Sequence, residues 1–276
     1  MKKKFLTAAI LTVAAITLVV ATVFTTLAFL ADSSAVSNTF TVGNVGIDMK
    51  ESPVDENGAV ISGAPKVDGN SYHLKPNGTY AKDPTIYIET TNANDSMFLY
   101  VKSNNMIRNV EAGNVKDKDG NPIPTTKKTM RQQMEANGWV EFIQSGDGVE
   151  IIWVYGTRDD NGVITPTPVN CNDTQVRGDG TTGPKGEFRL CEEFTIGNVD
   201  NAALNLYGGT TVTFTGFAIQ TSTVEPTGNA LVKSSWDNIK ETFPVNCSIN
   251  DPKNPYNGLG GEDAYKPVAK SSQTIN

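Results

Sequence analysis

Through most of the chain apolar residues alternate with polar ones, in short runs bounded by Gly, Pro, Asn and Asp. PTIYIET (84–90), SMFLYVKS (96–103), GWVEFIQS (138–145), GVEIIWVYG (148–156), GEFRLCEEFTIG (186–197) and GTTVTFTGFAIQT (209–221) are such runs. All are rich in β-branched and aromatic residues, which suit a pleated, half-buried surface, so they read as strands. In SNTFTVGNVGIDMK (37–50), Phe40 and Val42 share one face, and Val45, Ile47 and Met49 alternate in the opposite phase. The slip at Gly43-Asn44 reads as a β-bulge within one strand. Turn signals separate the runs: Asn57-Gly58, Asp119-Gly120, Asp147-Gly148, Asn161-Gly162 and Gly208-Gly209. Of these Asp147-Gly148 is the strongest hairpin signal. Short strands joined this way predict a mainly β chain folded as a jelly-roll-like antiparallel β-sandwich.

Two stretches change period. TTKKTMRQQMEANG (125–138) sets Met130 and Met134 one helical turn apart and stops at Asn137-Gly138. NALVKSSWDNIKETF (229–243) lines up Val232, Trp236, Ile239 and Phe243 in one apolar stripe before Pro244. Both are expected as short peripheral helices. From Asn246 onward the chain is polar and rich in Asn, Gly, Ser and Lys, which predicts a poorly ordered tail.

The N-terminus differs from the rest. Lys2, Lys3 and Lys4 precede an uncharged run from Phe5 to Ala31, with small residues at Thr26 and Ala28. A basic start, an apolar middle and a small-x-small end read as a secretory signal peptide cut between Ala28 and Phe29. The run of about 27 uncharged residues would also span a bilayer as a helix, so a retained anchor is the alternative. Threonines at 7, 12, 17, 22, 25 and 26 make it only moderately apolar, which favours cleavage.

Charge narrows the partners. The chain carries 23 basic and 30 acidic residues, net −7. Loss of the leader removes three lysines and no acid, leaving about −10, a surface that repels nucleic acid and anionic membranes. Three cysteines are too few for a disulfide scaffold. Cys171 and Cys191 bracket the Gly-rich RGDGTTGPKG, where a disulfide would contribute ~3 kcal/mol in the loop-entropy picture. The alternative is three reduced thiols.

Catalytic patterns are lacking. A single histidine, His73, cannot supply a two-His metal site, and no G-x-S-x-G or phosphate-binding Gly loop is present. Asp117, Asp119 and Asn121 imitate half of a Ca²⁺ loop, but Pro122 stands where the loop needs Gly and no Glu closes it. Asp159-Asp160 and Glu192-Glu193 are adjacent, so on a strand they point to opposite faces and cannot flank one bond. The expectation is a non-enzymatic protein without cofactor or metal.

Three blocks carry a resemblance. A leader ending T-x-A, followed by F-x-x-D and SNTFTVGNVGID, resembles the start of the TasA/CalY/camelysin family of exported Gram-positive biofilm-matrix proteins. LKPNGTYAKDPTIYIETTNANDSMFLYVK (74–102) and FTGFAIQTSTVEPTGNALVKSSW (214–236) are similar to later segments of that family; the Cys171 to Cys191 loop and the chain after Phe243 depart from it. The resemblance implies removal of the leader by the signal peptidase SipW and a jelly-roll domain. It also implies a role as subunit of extracellular fibres, partnered by copies of itself and by accessory matrix or anchoring proteins. It divides the chain into a signal peptide (1–28), an N-terminal arm (29–38), a β-domain (39–245) and a tail (246–276). The arm would act as a donor strand completing the sheet of the next subunit, with Phe29, Ala31 and Val36 facing the acceptor groove. Alternatives are a camelysin-like metallopeptidase, for which the residues offer no zinc constellation, and a membrane-tethered surface adhesin.

Overall fold

A computed structural model describes residues 32–42, 45–145, 149–221 and 265–267. In chain order the strands are β1 (Asp32–Val42), β2 (Ile47–Lys50), β3 (Gly69–Tyr72), β4 (Thr79–Ala81), β5 (Thr85–Ile88), β6 (Met97–Asn105), β7 (Trp139–Ser145) and β8 (Glu150–Arg158). They continue with β9 (Ile164–Pro166), β10 (Thr174–Val176), β11 (Thr182–Lys185), β12 (Glu187–Arg189), β13 (Glu193–Thr195), β14 (Val212–Gln220) and β15 (Tyr265–Pro267). The helices are α1 (Met130–Ala136) and α2 (Asn201–Asn205). Among the described residues the chain is mainly β, with several sheets and two short α-helices.

The largest sheet runs β15-β7-β8-β6-β14-β1-β3, with β9 attached to β8. Its neighbours are antiparallel except β1 and β14, which run parallel. A second sheet has the order β12-β5-β2, and β13-β4 and β10-β11 form two pairs. Met97, Leu99 and Val101 on β6, Ile151 and Trp153 on β8, and Phe214 and Ala218 on β14 join Ile47, Met49, Ile86 and Phe188 of the second sheet in one core. Gly216 shows how closely the sheets approach: a Cβ there would sit 3.0 Å from Met49 Cε and 3.4 Å from Ile86 Cδ1. The alternate residues Phe98, Tyr100, Ile152, Val154, Phe217 and Ile219 form a separate cluster on the opposite face. Each large side chain so buried contributes roughly 1.5–3 kcal/mol through removal of apolar surface from water.

α1 forms as its sequence indicates. Thr129 accepts from the Gln132 amide while the Gln132 side chain accepts from the Thr129 amide, a capping box that satisfies two end groups. Met130 and Met134 are buried, and Gly138 ends the helix at φ +86°. α2 has five residues, too few for a period to show, and is capped by Asp200 accepting from the Ala203 amide. The predicted helix at 229–243 and the hairpin tip at Asp147-Gly148 lie outside the described residues, as does most of the tail; Tyr265–Pro267 of that tail pairs with β7.

Two expected single strands are each divided. SNTFTVGNVGIDMK is not one bulged strand: β1 belongs to the large sheet and β2 to the second, so the phase change around Gly43-Asn44 marks a move between sheets. The register irregularity falls earlier, between Ser37 and Phe40, where three steps along β1 match two along β14. GEFRLCEEFTIG likewise splits into β12, paired with β5, and β13, paired with β4, with Leu190 and Cys191 buried between them.

At Gly156 the β9 backbone leaves no room for a side chain, since a Cβ would stand 2.3 Å from the Thr165 carbonyl oxygen. Gly156→Ala should therefore destabilise the protein by about 1–3 kcal/mol, as overpacking against a backbone does. A urea midpoint unchanged from wild type would contradict this.

Candidate functional site

The N-terminal strand changes partner partway along. Asp32 to Ala35 pair antiparallel with Tyr72 to Gly69 of β3, and Val36 to Val42 run parallel to Phe214–Ile219 of β14. β14 is the long apolar strand VTFTGFAIQ, held on its other side by β6 over its whole length. Its side facing β1 is thus an open row of main-chain donors and acceptors that β1 fills. Of the residues the resemblance assigns to a donor strand, Val36 lies opposite Phe214. Ala28, Phe29 and Ala31 lie outside the described residues. β1 runs on past the expected arm boundary at Asn38-Thr39 to Val42, with its register irregularity between Ser37 and Phe40.

Both described cysteines are free thiols, so the cross-link between Cys171 and Cys191 is not formed here. Cys191 is wholly enclosed and its Sγ donates to the Lys82 carbonyl at 3.4 Å; burial pushes this thiol well above its ordinary range. His73 is exposed, and its carbonyl accepts from the Tyr80 hydroxyl. Asp117 caps its own turn, its Oδ1 accepting from the amides of Asp119 and Asn121 at 2.9 Å, and these bonds lower its pKa. Among the described residues no group of three or more His, Cys, Asp or Glu side chains converges to hold a metal. A cleft of about 390 Å³ beside α1 is lined by Lys127, Lys128, Gln133, Asn137, Glu192 and Glu193. Lys127 pairs with Glu193 there and Gln133 is tied to the backbone at Glu192 and Glu193, so its polar groups are largely used in holding α1 to β13.

The interior holds charge that sequence reasoning missed. Lys82 Nζ lies 3.1 Å from Glu51 Oε2, both side chains at 0% exposure. Glu51 Oε1 accepts from Asn70 Nδ2 at 2.9 Å. The same amide nitrogen donates to the Ser52 carbonyl at 2.8 Å, and Asn70 Oδ1 accepts from the Val54 amide at 3.0 Å. The Phe214 ring centroid is 5.6 Å from Lys82 Nζ. A signal existed. Glu51 follows Ile47 and Met49 in phase, Lys82 follows Tyr80, and Asn70 precedes Tyr72, so a period of two turns all three inward.

Other buried carboxyls sit around α1. Glu111 accepts from the Met130 amide at the helix start (2.8 Å) and from Asn105 Nδ2 (2.7 Å), yet burial pushes its carboxyl up to about 7. Glu141 is raised to about 6 by burial against the pull of Arg131, which pairs with it. Lys102 and Glu150 form a further buried pair at 2.9 Å. Among the described residues no helix is long and apolar enough to cross a membrane.

No family model matches the chain, and neither the curated proteins nor the solved structures contain a match.

Glu111 predicts a pH dependence. Between the ordinary value of 4.5 and about 7 the folded chain keeps a proton that the unfolded chain has released. Folding therefore takes up a proton, and stability falls as pH rises through that window, by about 3 kcal/mol for this group. Glu141 adds to the fall at the lower end. In Glu111→Gln the decline measured by urea denaturation between about pH 4.5 and 7 should be shallower; an unaltered slope would remove Glu111 as its source.

Proposed function

We propose that this protein is a secreted structural subunit of extracellular fibres, joined head to tail by exchange of its N-terminal strand. The supporting observation is the position of β1: the first described segment occupies the open side of β14 by parallel main-chain pairing. A strand at a chain end can leave and be replaced by the same strand of another copy, which reproduces every backbone hydrogen bond. Such a contact is heterologous and does not close, so repetition gives a filament. On this reading the two packed sheets form a jelly-roll-like antiparallel β-sandwich, the leader is removed after Ala28, and Phe29 begins a free arm that carries Ala31 and Val36 into a neighbour. The negative net charge keeps the subunit soluble until strand exchange, and main-chain pairing lets the contact form despite like charge. The resemblance of the leader, 74–102 and 214–236 to the TasA/CalY/camelysin family points the same way.

The test compares chains beginning at Phe29 and at Gly43 by electron microscopy under assembly conditions. Filaments should form only from the longer chain, and a peptide spanning 29–42 added to the shorter one should bind it with a rise in melting temperature. Equal filament formation by both chains would refute strand exchange.

A further inference from the structure

The enclosed group of Lys82, Glu51 and Asn70 has the composition of a self-modifying site. We propose that Lys82 and Asn70 become joined by an intramolecular isopeptide bond, with Glu51 as the proton carrier. One carboxylate holds both nitrogens, Lys82 Nζ on Oε2 at 3.1 Å and Asn70 Nδ2 on Oε1 at 2.9 Å. It thereby places an amine and a carboxamide on the two oxygens of one carboxylate, out of solvent. Glu51 and Lys82 are at 0% exposure and Asn70 at 8%. Entropy lost in bringing the reactants together is already supplied by the fold, since β3 carries Asn70 and the residue after β4 is Lys82.

The chemistry balances. Glu51 Oε2 takes a proton from the Lys82 ammonium across their 3.1 Å hydrogen bond. The Lys82 Nζ lone pair adds to Asn70 Cγ. Negative charge developing on Asn70 Oδ1 meets the Val54 amide, which already donates to that oxygen at 3.0 Å and acts as an oxyanion donor. Glu51 passes its proton to Asn70 Nδ2, the Cγ–Nδ2 bond breaks, and ammonia leaves as the Cγ–Nζ amide forms; the proton left on Nζ returns to the Glu51 carboxylate or leaves with ammonia as ammonium. No oxidant, metal or cofactor takes part. The product ties the start of β3 to the residue following β4. Since β3 is the strand that holds Asp32–Ala35 of β1, the link would fasten one wall of the β1 groove.

Tryptic mapping of the purified full chain by mass spectrometry tests it. Lys75 precedes Pro76, so an unmodified chain yields a peptide from Val67 to Lys82 at its sequence mass. The linked chain should resist cleavage after Lys82 and give a peptide running to Lys102 that is lighter by about 17 Da, the ammonia expelled by the attacking amine. Glu51→Gln, which keeps the shape but carries no proton, should restore the cleavage and the mass; Lys82→Arg, which keeps the charge, should do the same. Recovery of the ordinary 67–82 peptide from wild type overturns the proposal, as does Asn70 found converted to Asp with Lys82 free. A link that persists in Glu51→Gln overturns the role given to Glu51.

Discussion

Burial of the middle strands on both faces is the constraint on which the other features depend. β6, β8 and β14 lie side by side, and each sends alternate residues to opposite clusters: Leu99 and Phe98, Trp153 and Ile152, Ala218 and Ile219. Strands apolar on both faces cannot lie at a surface. One face must receive a second layer, and β2, β5 and β12 supply it. At Gly216 the layers approach closely, because a side chain there would press on Met49 and Ile86. The same burial leaves the side of β14 away from β6 needing a partner for its main chain, and β1 is that partner.

Charge enclosed within this framework is handled by pairing. Lys82 and Glu51 have no solvent exposure, yet every polar contact in the group is short and directed, and Asn70 links the pair to the backbone at Ser52 and Val54. An uncompensated charge at such a site costs several kcal/mol, so the three residues stand or fall together. Glu111 is a different case. It serves an orphan amide at the start of α1, and burial outweighs the pull of its hydrogen bonds and of Arg108, so its proton becomes part of the fold's balance.

Much of the strand set was legible in the sequence because alternation over five or more residues has one physical reading. β5, β6, β7, β8 and β14 fall within runs visible by eye, and α1 follows from Met130, Met134 and Asn137-Gly138. β3, β4, β9, β10 and β11 were not visible, since three or four residues with one or two inward positions carry no period. The splitting of 186–197 and of 37–50 was hidden for another reason. Alternation records which residues point inward but not which sheet they enter. The candidate groove was half legible: the leading strand could be seen, but not its parallel pairing with β14, which joins residues far apart in the chain.

By itself the sequence determined the mainly β character, the capped helix at Met130–Ala136, the turns at Asn57-Gly58 and Asn161-Gly162, and the acidic surface, because each depends on local backbone preference or on simple counting. Only the tertiary structure decided which strands are neighbours, that β1 lies between β3 and β14, that Cys171 and Cys191 stand apart as thiols, and that Lys82, Glu51 and Asn70 meet. Those outcomes arise from long-range packing, in which residues distant in sequence are brought together by the need to bury two faces of one sheet.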